Sequence, residues 1–417
     1  MNAAQHDSRP TTLLLSSWSL FAALALLLLG NGLLGSLVGI RAELEGFDTI
    51  LTGVVLAFYF IGFVVGSQLA PIAVTRVGHV RVFSGLASLA AATTLLHSVT
   101  SHPVWWVIGR AVVGASIAGL YVVAESWLNA SATNKTRGRL LSVYMVVVMG
   151  AIGVGQLLLT FADPSGFELF LLAAALMSLS VLPITLSNSP APSFDLPTRM
   201  PLRDLWRASP VGLAGGLGSG MANGAAFAMG PVYAISIGMS VDRLSALMGT
   251  LILGAVLLQW PIGAWSDRVR RRRSIVVVNL AAATAAFAIT QVDPTSTWLF
   301  AVIFLIGGTS FPVYSLSLSH LNDLLEPHQI IAASSMFVLT WGVGSVIGPI
   351  LAAVLMSTTG PEGLFWLMGG VHLAVAVFAM YRIVAREGMA ISDQEDYLPI
   401  PARASSLIGV LTKGKRS

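Results

Sequence analysis

The chain has 417 residues, of which 55% are hydrophobic and only 10% charged, and its mean hydropathy is +0.81. A soluble domain carries about 25% charged residues, so this composition excludes an ordinary soluble fold. The net charge is +4 and cysteine is absent, which excludes a disulfide framework and a thiolate metal site.

Residues 1–11 are short and polar. The first apolar run, 12–38, has no small-residue cleavage site and reads as a retained span rather than a signal peptide. Further runs follow at 50–74, 80–97, 104–129, 140–162 and 167–186, then at 211–237, 244–265, 274–291, 297–321, 330–356 and 363–384. A helix needs about 20 apolar residues to cross roughly 30 Å of hydrocarbon. Only a helix satisfies its own backbone polar groups within one such segment, so the chain reads as an all-α membrane protein with twelve transmembrane helices.

Pro190, Pro192, Pro197 and Pro201 interrupt the longest polar connection, 188–210, and divide the chain into six-helix halves at 12–187 and 211–384. Within that connection Leu202, Leu205 and Trp206 alternate with Arg203, Asp204 and Arg207, the pattern of a short helix on the membrane surface. The tail, 385–417, is polar and reads as disordered. If Met1 lies in the cytoplasm, all Lys and Arg fall in cytoplasmic segments except Arg41, Arg110 and Arg243. This bias puts both termini in the cytoplasm. It also explains the basic balance without nucleic-acid binding.

The halves match faintly at a fixed offset. Gly114, Tyr121, Asn129 and Gly155 recur as Gly307, Tyr314, Asn322 and Gly348, and Asn31-Gly32 recurs as Asn223-Gly224. An ancient duplication accounts for their common order, and many secondary transporters are built from repeats with a site between them.

Two charges fall inside the fourth run. A charge there costs about 2.5–3.5 kcal/mol on insertion scales, so Arg110 and Glu125 need a partner or a purpose. At 100° per residue Arg110, Gly114, Tyr121 and Glu125 share a stripe roughly 60° wide. Fifteen residues of rise nevertheless separate the two charges by about 22 Å, too far to pair. Asn31 or Gln156 could satisfy Arg110 structurally; an anionic substrate group or a proton site is the functional alternative. His97, His102, His320 and His372 share no metal-ligand spacing and read as structural. No Gly-Lys-Ser/Thr loop occurs, so nucleotide hydrolysis is not expected to drive the protein.

Gly263, Asp267, Arg268 and Arg273 follow the eighth run, and Arg76, Gly78 and Arg81 follow the second. These resemble the loop signature Gly-x-x-x-Asp-Arg-x-Gly-x-x-Arg of the major facilitator superfamily. Pro71 and Thr75 replace its first Gly and Asp in one copy, and Arg270 replaces its second Gly in the other. Arg110-x-x-x-Gly114 is similar to the family's fourth-helix motif. Tyr121, Glu125 and Arg137-Gly138 resemble the sugar-porter spacing, with Ala118 in place of its proline, and Glu125-Ser-Trp-Leu-Asn129 resembles the run of a poorly characterised bacterial subgroup.

The resemblance implies two pseudo-symmetric bundles around a central cavity lined by helices one, four, seven and ten, here offering Asn31, Tyr121, Asn223, Tyr233 and Tyr314. It implies a cytoplasmic gate at Arg76, Gly78, Arg81, Arg137, Asp267 and Arg268. For Glu125 two roles are open, a gate contact with Arg76, Arg81 or Arg137 and coupling to protons. The expected activity is proton-coupled secondary transport of a small solute by alternating access, in a bacterial cytoplasmic membrane. A uniporter and a non-transporting sensor are the alternatives. The expected partners are a small molecule, the proton and lipid, bound by a monomer; no enzyme activity, cofactor or metal is expected.

Overall fold

The computed structural model describes residues 18–131, 137–187, 200–326, 328–385, 394 and 397. Among these there is no strand. Twelve long helices are present: α1 (Trp18–Leu44), α2 (Thr49–Val77), α3 (His79–Val99), α4 (Pro103–Ser131), α5 (Arg137–Leu157) and α6 (Glu168–Thr185), then α7 (Pro210–Ser236), α8 (Val241–Ser266), α9 (Arg271–Ile289), α10 (Trp298–Asn322), α11 (Ile330–Thr359) and α12 (Gly363–Ala385). Pro312, lacking an amide hydrogen, breaks α10 after Ser310, and α6 breaks at Ser180. The expected first span begins outside the described residues. It ends six residues later than expected because Arg41 closes its last turn by pairing with Glu45 at 2.7 Å.

Eleven of the helices are long and apolar enough to cross a bilayer. The exception is α7, rich in Gly and Ala, yet it is 27 residues long. Its neighbours enclose it, so it presents little surface to lipid and does not need large apolar side chains. The other helices leave Leu69, Trp260, Trp298 and Val384 exposed on their outer faces. Large apolar side chains around the whole girdle suit a lipid solvent, where backbone groups must bond within each helix. Exposed Trp18, Trp206, Trp260 and Trp265 sit towards the end bearing the basic loops, and Trp105, Trp298 and Trp366 towards the other. Such aromatic belts mark the two interfaces. This is a multi-pass membrane protein.

The halves repeat the same packing. Helices α1, α2, α3 and α4 pair with α5, α4, α6 and α3, and six helices later α7, α8, α9 and α10 pair with α11, α10, α12 and α9. The repeated glycines sit at matching crossings. A Cβ on Gly114 would lie 1.9 Å from the Tyr59 carbonyl oxygen, and one on Gly307 the same distance from that of Leu251. Gly155 meets the Leu29 backbone of α1, and Gly348 that of Met221 of α7. Only glycine lets these backbones approach so closely. Between the halves α2 packs on α11, α5 on α8 and α1 on α7.

The surface helix forms at Leu202–Ala208. Leu205 is buried and Trp206 stacks on Phe378 of α12, with ring centroids 6.2 Å apart. In the tail two residues are described, and both contact the bundle. Tyr397 is buried against Gly263, where an added Cβ would lie 2.1 Å from its ring, and its amide donates to Asp267 Oδ1 at 2.8 Å. Burial pushes the Tyr397 hydroxyl above the ordinary tyrosine range. Gln394 accepts from the Arg271 amide at 2.6 Å and donates to the Val269 carbonyl at 3.1 Å. The reading of the tail as wholly disordered is corrected at these two positions, because an aromatic ring next to a glycine has apolar surface to bury.

Candidate functional site

Helices α1, α2, α4, α5 and α7 converge on a cavity of about 30 Å³, lined among others by Asn31, Ser36, Tyr59, Arg110, Gln156 and Phe227. It has room for about two waters. Arg110 is 5% exposed, and its guanidinium carbon stands 4.6 Å from the Tyr59 ring centroid. A desolvated cation over an aromatic face is worth about 2 kcal/mol or more, which holds the arginine at the cavity wall. Gln156 ties three helices together: it donates to the Gly32 carbonyl at 2.8 Å, and its side-chain oxygen accepts from Ser36 at 2.5 Å. Its own carbonyl accepts from Ser245 of α8 at 2.5 Å, so this contact crosses between the halves.

Towards the basic end the cavity gives way to an aromatic partition spanning both halves. Phe63 of α2 meets Tyr121 of α4 at 6.3 Å and Trp341 of α11 at 6.1 Å, and Trp341 meets Tyr314 of α10 at 6.1 Å. Tyr121 and Tyr314, the repeated tyrosines, are both buried. One turn beyond Tyr121, the fully buried Glu125 accepts a hydrogen bond from the Tyr144 hydroxyl of α5.

The two signature loops are built differently. Gly78 links α2 to α3 at φ 84° and ψ 164°, a region open essentially to glycine alone. Its counterpart Arg270 has φ −59°. The second loop therefore turns without a left-handed residue and accommodates the departure from the signature. Arg76, Arg81 and Arg268 are exposed. Asp267 pairs with Arg271 at 3.0 Å, and Arg271 pairs with Asp323 at 3.1 Å and bonds Ser266 at 2.9 Å.

Two matches to the sequence model of the Major Facilitator Superfamily cover residues 20–329 and 215–413. The chain belongs to the Major Facilitator Superfamily. An uncharacterized superfamily transporter, YcaD from Escherichia coli, is 29% identical over 371 residues, which are 87% of this chain and 93% of YcaD. The solved nucleoside transporter NupG, in a mutant form, superposes with a TM-score of 0.75 at 15% identity, covering 89% of this chain and 99% of NupG. A bacterial homologue of the human lysosomal transporter Spinster, inward-facing and occupied, gives a TM-score of 0.72 at 15% identity, covering 93% and 99%. These two likenesses concern the fold. The protein is a membrane transporter.

Of the residues expected at the superfamily cavity, Asn31 lines it, beside Arg110. Tyr121 and Tyr314 belong to the partition below it. Tyr233 packs edge-on against Phe365 of α12, with centroids 4.8 Å apart, and Asn223 accepts from Ser310 of α10 at 2.8 Å. Glu125 and Asp267 have the partners just described within their own halves. Among the described residues neither Arg76 nor Arg81 forms an ion pair with Glu125; the side chain of Arg137 lies outside the described residues. Composition and spacing did not single out Tyr59, Tyr144, Arg271 or Asp323. A buried arginine inside the run 270–273 carries no local mark to tell it from the basic residues that orient the chain.

The side chains of Arg271 and Asp323 are 1% and 2% exposed. Removing one partner of a buried ion pair costs about 3–5 kcal/mol, whereas replacing both by apolar groups is often neutral. Arg271→Met is expected to lower thermal stability by that amount, and adding Asp323→Leu to restore most of it. Equal stability of the single variant and the wild type in a thermal-unfolding assay would refute the assignment.

Proposed function

We propose that the protein is a proton-coupled secondary transporter that moves a small solute across a bacterial cytoplasmic membrane by alternating access. The observation that carries this reading is the cavity, which lies where the two halves meet and places Arg110, Asn31 and Gln156 on one wall. The seam permits opening on one side at a time. Above the partition, close helix contacts such as Gly53 against the Pro349 carbonyl and the Ala353 methyl join the halves; at the partition, aromatic side chains such as Phe63 and Trp341 join them. Side chains can rotate away without breaking a helix contact, so the partition is the easier side to open.

Arg110 offers a fixed cation, suited to a solute with an anionic group and an apolar body that fits against Tyr59, Phe60 and Phe227. The basic end is the cytoplasmic end in this reading. There Arg76, Gly78, Arg81 and Arg137 of the first half and Asp267 and Arg268 of the second form the gate, with Glu125 behind it as latch or proton acceptor. Only a small-molecule substrate, protons and lipid are required, and a monomer suffices.

The test is flux in proteoliposomes against a panel of small carboxylates and nucleosides, with a pH gradient of either sign. Accumulation of a solute against its gradient, reversed when the pH gradient is reversed, is the expected result. Movement that only equilibrates the solute would establish a uniporter instead.

A further inference from the structure

A continuous chain of buried polar side chains runs through the second half, away from Arg110 and Glu125. Asn279 of α9 donates from Nδ2 to the Ile275 carbonyl at 2.8 Å, so its Oδ1, 2.9 Å from His372 Nδ1, is an acceptor. Nδ1 of His372 therefore carries hydrogen. On the far side of the ring, Nε2 lies 2.8 Å from Ser310 Oγ, which lies 2.8 Å from Asn223 Oδ1. All four side chains are at most 1% exposed.

The single hydroxyl hydrogen of Ser310 cannot serve both neighbours. When it points at Asn223 Oδ1, the contact to Nε2 is a hydrogen bond only if Nε2 also carries hydrogen, which makes the imidazole a cation. In that arrangement Asn223 Nδ2 is buried without a hydrogen-bond partner. When the imidazole is neutral, Ser310 donates to the lone pair of Nε2, and its oxygen can then accept from the Asn223 amide turned over to present Nδ2. Each protonation state thus has one consistent orientation of the Asn223 amide, since an asparagine carries its acceptor oxygen and donor nitrogen at the two ends of one planar group.

We propose that His372 is a proton-binding site and that the Asn223 amide turns over when Nε2 gains or loses its proton. Asn223 lies one helical turn from the cavity-lining Phe227, so the site stands next to the wall of the solute cavity. This deepens the transporter reading by naming a proton site in the second half. Among the described residues the hydrogen-bond partners of the imidazole, Asn279 and Ser310, carry no charge. The other titratable groups on the surrounding helices are Tyr233 on α7, Arg271 to Arg273 on α9, Tyr314 and His320 on α10, and Tyr381 and Arg382 on α12; α11 has none. The α9 arginines begin six residues from Asn279, about 9 Å along the axis. Tyr233 and Tyr314 face Phe365 and Trp341.

The test is NMR of protein labelled with ¹⁵N in histidine and asparagine, held in liposomes and titrated from pH 8 to pH 4. One neutral ring protonated at Nδ1, absent in His372→Gln, is expected to become doubly protonated, and the Asn223 side-chain amide signals are expected to shift at the same pH. Should His372→Gln fail to fold, Asn279→Leu identifies the ring, because losing its acceptor redistributes the hydrogen between Nδ1 and Nε2. A ring that stays neutral to pH 4, or one that gains a proton while the Asn223 amide signals stay still, overturns the proposal. The titration involves no substrate, so its failure is separate from a failure of pH-driven flux.

Discussion

Valine in place of Gly114 is expected to leave no correctly packed first half. Its Cβ would sit 1.9 Å from the Tyr59 carbonyl oxygen and 2.8 Å from the carbonyl carbon, and both are backbone atoms that no rotamer change can move. Helix α2 would have to retreat. The same crossing holds Gly62, where a Cβ would be 1.8 Å from the Ala111 oxygen, and Gly66, 2.2 Å from that of Ala115. Separation at one of these points loosens all three, so the cost should exceed the about 1–3 kcal/mol of ordinary overpacking. Gly307→Val should do the same to α8 and α10. Gly85 provides the contrast, because a Cβ there meets nothing within 4 Å. Gly85→Ala should stabilise by about 0.5–1 kcal/mol by lowering chain entropy. Size-exclusion profiles and thermal unfolding in detergent separate these cases; a Gly114→Val protein with wild-type melting behaviour would contradict the packing account.

Removing the cation at Arg110 is expected to have the largest effect on transport. If the guanidinium binds an anionic group of the solute at the cavity wall, Arg110→Ala loses a buried charge-assisted contact worth about 2–5 kcal/mol. That is roughly 30-fold or more in apparent affinity. Arg110→Lys keeps the charge but not the planar fork, and should fall between the two. Tyr59→Phe keeps the ring under the cation and should transport nearly normally. The comparison is uptake in proteoliposomes, with the melting temperature of each variant taken in parallel to separate lost binding from lost structure. Wild-type uptake by a stable Arg110→Ala would reduce the arginine to a packing role.

The spans were legible because hydrocarbon demands long apolar helices wherever the chain crosses. Even α7, whose glycines lower its hydropathy, could be read from its length between Pro210 and Ile237. The Gly114 and Gly307 match was legible too, since both copies answer the same demand for backbone contact at one crossing. The cavity was only partly so. Arg110 and Asn31 stand out as polar residues within apolar runs, but so do Asn223 and Tyr233, and nothing along one helix tells which polar side chain faces a void and which a neighbour. Asn223 finds Ser310, and Tyr233 finds Phe365, on helices distant in the chain.

From its residues alone this chain had to be a twelve-helix membrane bundle with a repeated half and a basic end, because burial in lipid, backbone hydrogen bonding and loop charge each act locally. Tertiary structure alone decided that Arg110 lies over Tyr59, that Glu125 bonds Tyr144, that Arg271 holds Asp323, and that four polar side chains form one line from Asn279 through His372 and Ser310 to Asn223. Those pairings join residues on different helices. They depend on the rotation and depth of each helix against its neighbours, quantities set by the packing of the whole bundle.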